Sequence, residues 1–489
     1  MKTRSTIWAL LLCPLLVSPA WADDKDLEER LKKLEQQVQE FKEHEKRERG
    51  PMEPKAAEPF AEPGVGPMPD VAKDLRAKEQ APLSFSSTGS GRLVYAKPFV
   101  AAPKAIVGGY MDIQYRNQSK VRIDNGASGN PGIGQSTSSF DQQRFVPFIY
   151  ADVTEHVKFA SEVEIEHGIR EQTGNNEISL EFATIDYLIN EQLNLRAGIL
   201  LLPVGKFNLL HDSPLNDLTD RPLVAQYIIP TTLSETGAGF YGTFYPGRLS
   251  KVDYELYVVT GSNGYNAAGT PLINENNGLQ SSRQRKTFAG DGLDNNNGKG
   301  IVGRVAYSPF LGAEVAGSGY YSSYDPQGKR SLSIYALDWT FQRGPWELIG
   351  EAAWSYISGN SQNLPGMTQT FYTGADGIPR LRPQRMSGMY AQANYHFMPE
   401  FLSRLSPTRF GPGSTFTAVL RWDQINTNLD YTAGADRDQQ RLTFGLNYRP
   451  IEDAVFKAEY QFNMQDYDPV LGRRVTGNNT LVLSAATYF

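Results

Sequence analysis

The chain of 489 residues is most informative first in what it lacks. It has a single cysteine, Cys13, which excludes a disulfide framework and a cysteine-based metal site. Cys13 follows Leu12 rather than the small residue a lipoprotein cleavage site needs. No stretch beyond the N-terminus approaches the roughly 18 uninterrupted apolar residues of a membrane helix. Histidine is scarce, with five in all, and His44, His156, His167, His211 and His396 are scattered with no Ser or Asp beside them in a recognisable catalytic motif. An enzyme is therefore not expected. The net charge of −6 is mild and gives no reason to expect a nucleic-acid partner.

What is present is tyrosine (25), phenylalanine (24) and glycine (45), with aliphatic residues in short alternating runs. Strands of about ten residues alternating apolar and polar suit a transmembrane barrel, where one face meets lipid and the other water. The last ten residues, Thr480 to Phe489, make the case sharply: Leu481, Leu483, Ala485 and Phe489 share one face. An apolar final strand in water would invite aggregation, whereas in a closed barrel it has a neighbour on each side and lipid before it.

Before the barrel the sequence divides into three parts. Residues 1–22 carry Lys2 and Arg4, an apolar core from Ile7 to Val17 and the run Ala20-Trp21-Ala22, which is the pattern of a secretory signal peptide. Residues 23–50 place Leu27, Leu31, Leu34, Val38 and Phe41 at heptad spacing, broken by Glu45 and Glu48; this reads as a short coiled-coil helix, trimeric if it associates and otherwise a solvated spacer. Residues 51–105 form a periplasmic linker, rich in Pro, Glu, Ala and Gly as far as Pro82 and too poor in apolar residues to bury a core. The part from Leu83 to Lys104 is compatible with a strand, a plug or an irregular lead.

From Ile106 to Phe489 about sixteen strands are expected, giving an all-β, transmembrane, antiparallel β-barrel. Val107 to Tyr115 turns Val107, Met111, Ile113 and Tyr115 outward and Asp112 and Gln114 inward, with Arg116 following inward. In Val157 to His167, Val157, Phe159, Val163 and Ile165 oppose Lys158, Glu162, Glu164 and Glu166. The connections alternate between short ones, such as Thr154 to His156 and Asn190 to Gln192, and long ones, such as Pro203 to Glu235 and Gly261 to Gly300. Short periplasmic turns and long external loops are the asymmetry of a barrel in the bacterial outer membrane. At sixteen strands the side chains no longer fill the interior and a water-filled channel is left.

The run LRAGILLLPVGKFNLLHDSPLNDLTDRPLVAQYIIPTTLSETGAGFYG, Leu195 to Gly242, resembles the corresponding region of the phosphate-selective porin O and P family. The shared features are the strand entering Pro203-Val204-Gly205, the Arg221-Pro222 pair, and the exit through Glu235, Gly237 and Gly239. A looser resemblance extends from about residue 104 to 489. It implies a homotrimeric porin whose third external loop folds inward. The loop's Lys206, His211, Asp212, Asp217, Asp220 and Arg221 are then the residues of the channel constriction. A phosphate path calls for concentrated cations, and this loop mixes both signs.

On the lumen wall, Arg421, Arg441, Arg449 and Lys457 with Arg116 and Arg144 make a basic side, faced by the acidic loop and by Glu162, Glu164 and Glu166. Such a division would set a field across the channel; alternatively the charges pair across strands. Asp291 to Gly298 looks like a calcium loop, but Leu293 stands where the first Asp is needed, so neither a metal nor any other cofactor is expected. The expected function is passive diffusion of small hydrophilic solutes, anions such as phosphate among them, through a lipid-embedded porin. The alternatives are a sugar-specific porin, which would carry a row of inward aromatics, and a structural tether with a plugged barrel.

Overall fold

The structure is a computed structural model. It describes residues 104–119, 137–167, 178–265, 271–275, 277–283, 294, 298–325, 328–358, 371–373, 379–381, 383–411, 413–430, 438–468, 473–475 and 479–489. The signal peptide, the coiled coil, the linker apart from its last residues and the Asp291–Gly298 run apart from Asp294 and Gly298 lie outside the described residues.

Sixteen antiparallel strands close on themselves. They are β1 (Lys104–Gln118), β2 (Thr137–Asp152), β3 (Val157–Glu166), β4 (Ile178–Leu188), β5 (Asn194–Leu201), β6 (Ser234–Phe244), β7 (Lys251–Val259), β8 (Gly300–Phe310), β9 (Ala313–Ser323), β10 (Ser331–Arg343) and β11 (Trp346–Ile357). After a small hairpin of β12 (Phe371–Thr373) and β13 (Pro379–Leu381) come β14 (Arg385–Phe397), β15 (Thr415–Asn426), β16 (Asp438–Ile451), β17 (Ala454–Asp468) and, beyond the short β18 (Arg473–Val475), β19 (Thr480–Tyr488). Each barrel strand pairs with its sequence neighbours around the ring, and β1 pairs with both β2 and β19, from Tyr110↔Tyr488 to Gln118↔Thr480. Barrel closure leaves no edge, so every strand's backbone groups have a partner in a medium that offers no water. The first strand begins at Lys104, two residues before the start expected from sequence.

The two ends differ as expected. Turns as short as residues 311–312, 344–345 and 452–453 join strands at one end, while the connections at the other include 202–233 and 260–299. The longer turn-end connection carries a short helix, Glu400–Leu405.

Side-chain burial follows the alternation. On β1, Val107 is 68% exposed and Met111 and Ile113 are each 41% exposed, while Asp112 and Gln114 are buried. Outward aliphatics such as Ile185, Val258, Val305, Leu348 and Leu446 form a band between rings of aromatics. Tyr115 and Phe140 pack 5.0 Å apart at the loop end; Trp346 and Tyr395 at 4.6 Å, and Phe416 and Tyr448 at 4.7 Å, belong to the turn end. An outward apolar band flanked by aromatic girdles is the surface of a protein set in the bacterial outer membrane. Among the described residues no helix is long and apolar enough to cross a membrane, so the strands do the crossing.

Phe489 finishes the barrel. Its amide donates to the Gly109 carbonyl at 2.9 Å, its own carbonyl accepts from the Gly109 amide at 3.1 Å, and its ring stacks on Phe145 at 5.7 Å. Gly109 lacks a side chain where a Cβ would meet that ring at 2.8 Å.

Candidate functional site

The connection 202–233 folds into the barrel. Its neck is closed by Leu202 N donating to Leu233 O at 3.0 Å and by Asn208, whose Nδ2 donates to Leu202 O and Leu233 O while its Oδ1 accepts from Leu233 N. Gly205 makes the inward bend with a φ of 69°, a left-handed conformation that favours glycine. It is also pressed against the Glu351 carboxylate, leaving no room for a Cβ. Two short helices follow, α1 (Lys206–Leu209) and α2 (Leu223–Tyr227).

The loop is tied to the wall on every side. Lys206 Nζ reaches Glu314 at 3.1 Å and Thr340 at 2.9 Å, and the Phe207 amide donates to Glu351 at 3.0 Å. His211 Nε2 lies 3.0 Å from Glu181, and Asp212 accepts from Tyr488 Oη at 2.9 Å. Asp217 accepts from Asn394 at 2.8 Å, Asn447 at 3.2 Å and Arg449 at 3.3 Å. Asp220 is held by Arg116 and by Gln461 at 2.6 Å, with Arg441 3.8 Å away. Hydrogen bonds to charged groups contribute about 1.5–3 kcal/mol each. A loop with this many does not swing freely.

Beyond Pro222 the character changes. Val224, Ile228, Ile229 and Leu233 pack with Tyr257, Val259, Tyr320, Ile334, Tyr390 and Ile425 of the inner wall, joined by Ile273 and Leu279 of the next long connection. The barrel thus has an apolar core inside its lumen as well as lipid outside. Gly445 makes space for Leu218, whose side chain would contact a Cβ there at 2.5 Å.

The sequence-named residues are therefore brought together, as ion pairs rather than as two separated sets. The basic side chains do not stand across a gap from the acidic ones. Arg144 and Glu166 are register partners on adjacent strands, and Arg144 Nε lies 3.1 Å from Glu164 and 3.3 Å from Glu166. Arg421 pairs with Asp423 at 2.9 Å and donates to the Asp220 carbonyl at 3.0 Å. Arg221 donates to the Thr231 carbonyl and lies 3.8 Å from Glu164. Lys457 Nζ donates to the Ser213 carbonyl at 2.7 Å. Contact replaces separation because the loop lies against the wall, carrying its carboxylates to the arginines.

Space remains between the loop and the turn-end mouth. One cavity of about 350 Å³ is lined by Lys206, Asp217, Glu347, Gln392 and Arg421 together with Trp339 and Tyr390. A second, of about 310 Å³, is bounded by Lys158, Asp186, Arg196, Glu255 and Leu209. Arg196 there is gripped by Asp186 at 2.8 Å and lies 4.4 Å over the Tyr241 ring. Sequence reasoning missed Glu181, Asp186, Arg196, Glu314, Glu347, Glu351 and Asp423. For all but Glu181 the alternation of their strands supplied the signal, since a charge on a barrel strand belongs inside.

His396 also acquires neighbours invisible in the sequence: Nδ1 is 3.0 Å from Thr417 Oγ1 and Nε2 is 3.5 Å from Glu347. His167 Nδ1 lies 2.8 Å from Asp141.

No family model matches the chain. An uncharacterized protein of Aquifex aeolicus (strain VF5) is 28% identical over 368 residues, spanning 72% of this chain and 74% of its own. Among solved structures, OmpF of Salmonella typhi in complex with daunomycin is 13% identical, with a TM-score of 0.48 over 79% of this chain and 98% of its own. The anion-selective porin from Comamonas acidovorans is 11% identical, with a TM-score of 0.46 over 79% and 99%. The outer membrane channel DcaP of Acinetobacter baumannii is 11% identical, with a TM-score of 0.45 over 79% and 97%.

Proposed function

We propose that the protein is an outer-membrane porin through which small hydrophilic solutes diffuse passively, with Lys206, His211, Asp212, Asp217, Asp220 and Arg221 forming the constriction. The observation that carries this reading is a closed sixteen-stranded barrel whose charged interior is narrowed by one inward loop. A barrel of this size holds more space than its own side chains fill. Because Lys206, Asp217, Asp220 and Arg221 each lie beside a wall ion of opposite sign, they add little net charge to the passage. Phosphate is then one passenger among small polar solutes rather than a dedicated cargo.

The inward tyrosines do not favour a sugar track. Tyr257, Tyr320 and Tyr390 are buried beneath the loop, and Tyr257 and Tyr320 spend their hydroxyls on Glu255 and Glu235. The plugged-barrel alternative draws support from the apolar core inside the lumen. Planar-bilayer recording decides between them: ohmic conductance with small reversal potentials in a salt gradient fits the porin, and silence from folded, inserted protein fits the plug. Assembly as a homotrimer rests on the heptad spacing of Leu31, Leu34 and Val38.

A further inference from the structure

Where the third external connection meets the wall of β3 and β4, three side chains converge whose meeting the porin reading does not explain. Ligand atoms of Glu162, Glu181 and His211 all lie within 4.8 Å of one another, and all three residues are buried. Glu181 arrives there through a local irregularity. Glu162 pairs with Phe182 and the next pair is Val163 with Leu180, so Glu181 is an extra residue on its strand, a β-bulge. Further along β4 the inward positions are Thr184 and Asp186, of even number. Strict alternation would turn Glu181 toward lipid; the bulge turns it inward, the re-aiming that bulges perform beside functional sites.

His211 is oriented for the same point. Its Nδ1 is 3.1 Å from the Asn208 backbone carbonyl, to which it donates, leaving Nε2 directed at Glu181. Asn208 is the residue that closes the neck of the loop, so the ring is carried on the most constrained part of that segment. Thr232 Oγ1 donates to the other Glu181 oxygen at 2.7 Å. A ring N–H on a backbone carbonyl and a hydroxyl on the carboxylate are the outer-shell contacts that fix metal ligands. The decisive observation is Glu162. It is 3% exposed, and its Oε1 has no hydrogen-bond donor among the described residues. A carboxylate oxygen buried without a partner is costly and is satisfied by a proton or by a cation; the second carboxylate and the imidazole nitrogen converging on it favour the cation. Of the nearby arginines, Arg144 lies 3.1 Å from Glu164 and 3.3 Å from Glu166, and Arg221 lies 3.8 Å from Glu164, so neither is aimed at Glu162.

We infer that Glu162, Glu181 and His211 form a binding site for one divalent transition-metal cation of the Zn²⁺ type, which fastens the inward loop to the barrel wall. One imidazole and two carboxylates suit Zn²⁺, whereas Ca²⁺ and Mg²⁺ prefer oxygen alone. The two carboxylates supply the negative charge that offsets a dication in a buried site.

The test uses tag-free full-length protein folded in detergent, stripped with chelator, equilibrated with ZnCl₂ and freed of excess by gel filtration. Wild type should retain one Zn²⁺ per chain that excess Ca²⁺ does not displace. Glu162→Gln and His211→Ala should each lose on the order of 100-fold in Zn²⁺ affinity, at least the cost of removing an outer-shell partner. Glu162→Gln is the cleaner variant, because the Oε1 it alters accepts no hydrogen bond that folding could miss; heat-modifiable migration on a gel reports that the barrel is intact. A folded wild type that retains no Zn²⁺, or a folded Glu162→Gln that retains it undiminished, overturns the assignment. These readouts do not depend on whether the channel conducts.

Discussion

Arg116 on the first strand donates from Nη1 to Asp220 in the inward loop at 3.0 Å, joining residues 104 positions apart with side chains nearly out of solvent. With Arg449 and Asp217 at 3.3 Å, it fixes the sign of the local field wherever one partner is removed.

Changing Asp217 and Asp220 together to Asn should move the reversal potential toward anions, and changing Arg421 and Arg441 to Ala should move it toward cations. One unit charge at 4 Å interacts with an ion by about 1 kcal/mol even in water, about fivefold in relative permeability. Both shifts should shrink as salt rises, since screening shortens to about 3 Å at 1 M. Potentials that ignore both pairs at low salt would place the solute path elsewhere.

Replacing Asp220 alone by Asn should unseat the loop as well as alter charge. Removing one partner of a buried ion pair costs about 3–5 kcal/mol, because the other charge stays buried without compensation. Single-channel conductance should rise and protease should cut within 202–233 faster, while the barrel strands stay protected.

Gly205→Ala should have a similar effect by a different cause. The left-handed backbone costs a non-glycine residue about 1–2 kcal/mol, and the new methyl group would collide with the Glu351 carboxylate. Because Glu351 also accepts from the Phe207 amide, Glu351→Ala alone sets the baseline: if the clash dominates, adding Gly205→Ala to it should cost little further protease resistance, whereas a full further loss would show that backbone strain dominates.

Deleting Phe489 should lower the amount of folded protein in the outer membrane and leave the conductance of surviving channels unchanged. Its contacts are with Gly109 and Phe145, at the closing seam and away from the inward loop. Normal folded levels in the deletion would remove the residue from assembly.

How far these features could be foreseen depended on whether they are local. Alternation on β1 was legible because lipid and lumen impose it residue by residue, as Val107 and Asp112 show. The turns were legible because their lengths are. The inward course of 202–233 came from family resemblance, since nothing in Pro203-Val204-Gly205 by itself says which way the chain bends. Contact between Asp217 and Arg449, 232 residues apart, has no local signature at all. Nor does the apolar core: Ile228 and Ile229 stand in a connection, where an apolar pair predicts burial without saying against what. Glu181 was hidden by the bulge, which reverses the parity on which the strand reading depends. A glutamate at a position that alternation assigns to lipid is itself a clue to such a reversal.

Asp212 accepts from Tyr488, and Thr219 from the same loop shares a 2.7 Å hydrogen bond with Ser484. Both partners stand on the final strand, more than 260 residues downstream, so the loop cannot reach its full set of partners until the last segment of the chain has been delivered. Topologies with such distant pairings fold slowly. Narrowing of the lumen is therefore coupled to completion of the cylinder: a chain caught before the last strand docks has an incomplete wall and an incompletely anchored loop together. A premature stop codon just ahead of Thr480 would thus yield neither an ungated pore nor a sealed one, but a species with one raw seam for periplasmic quality control to recognise.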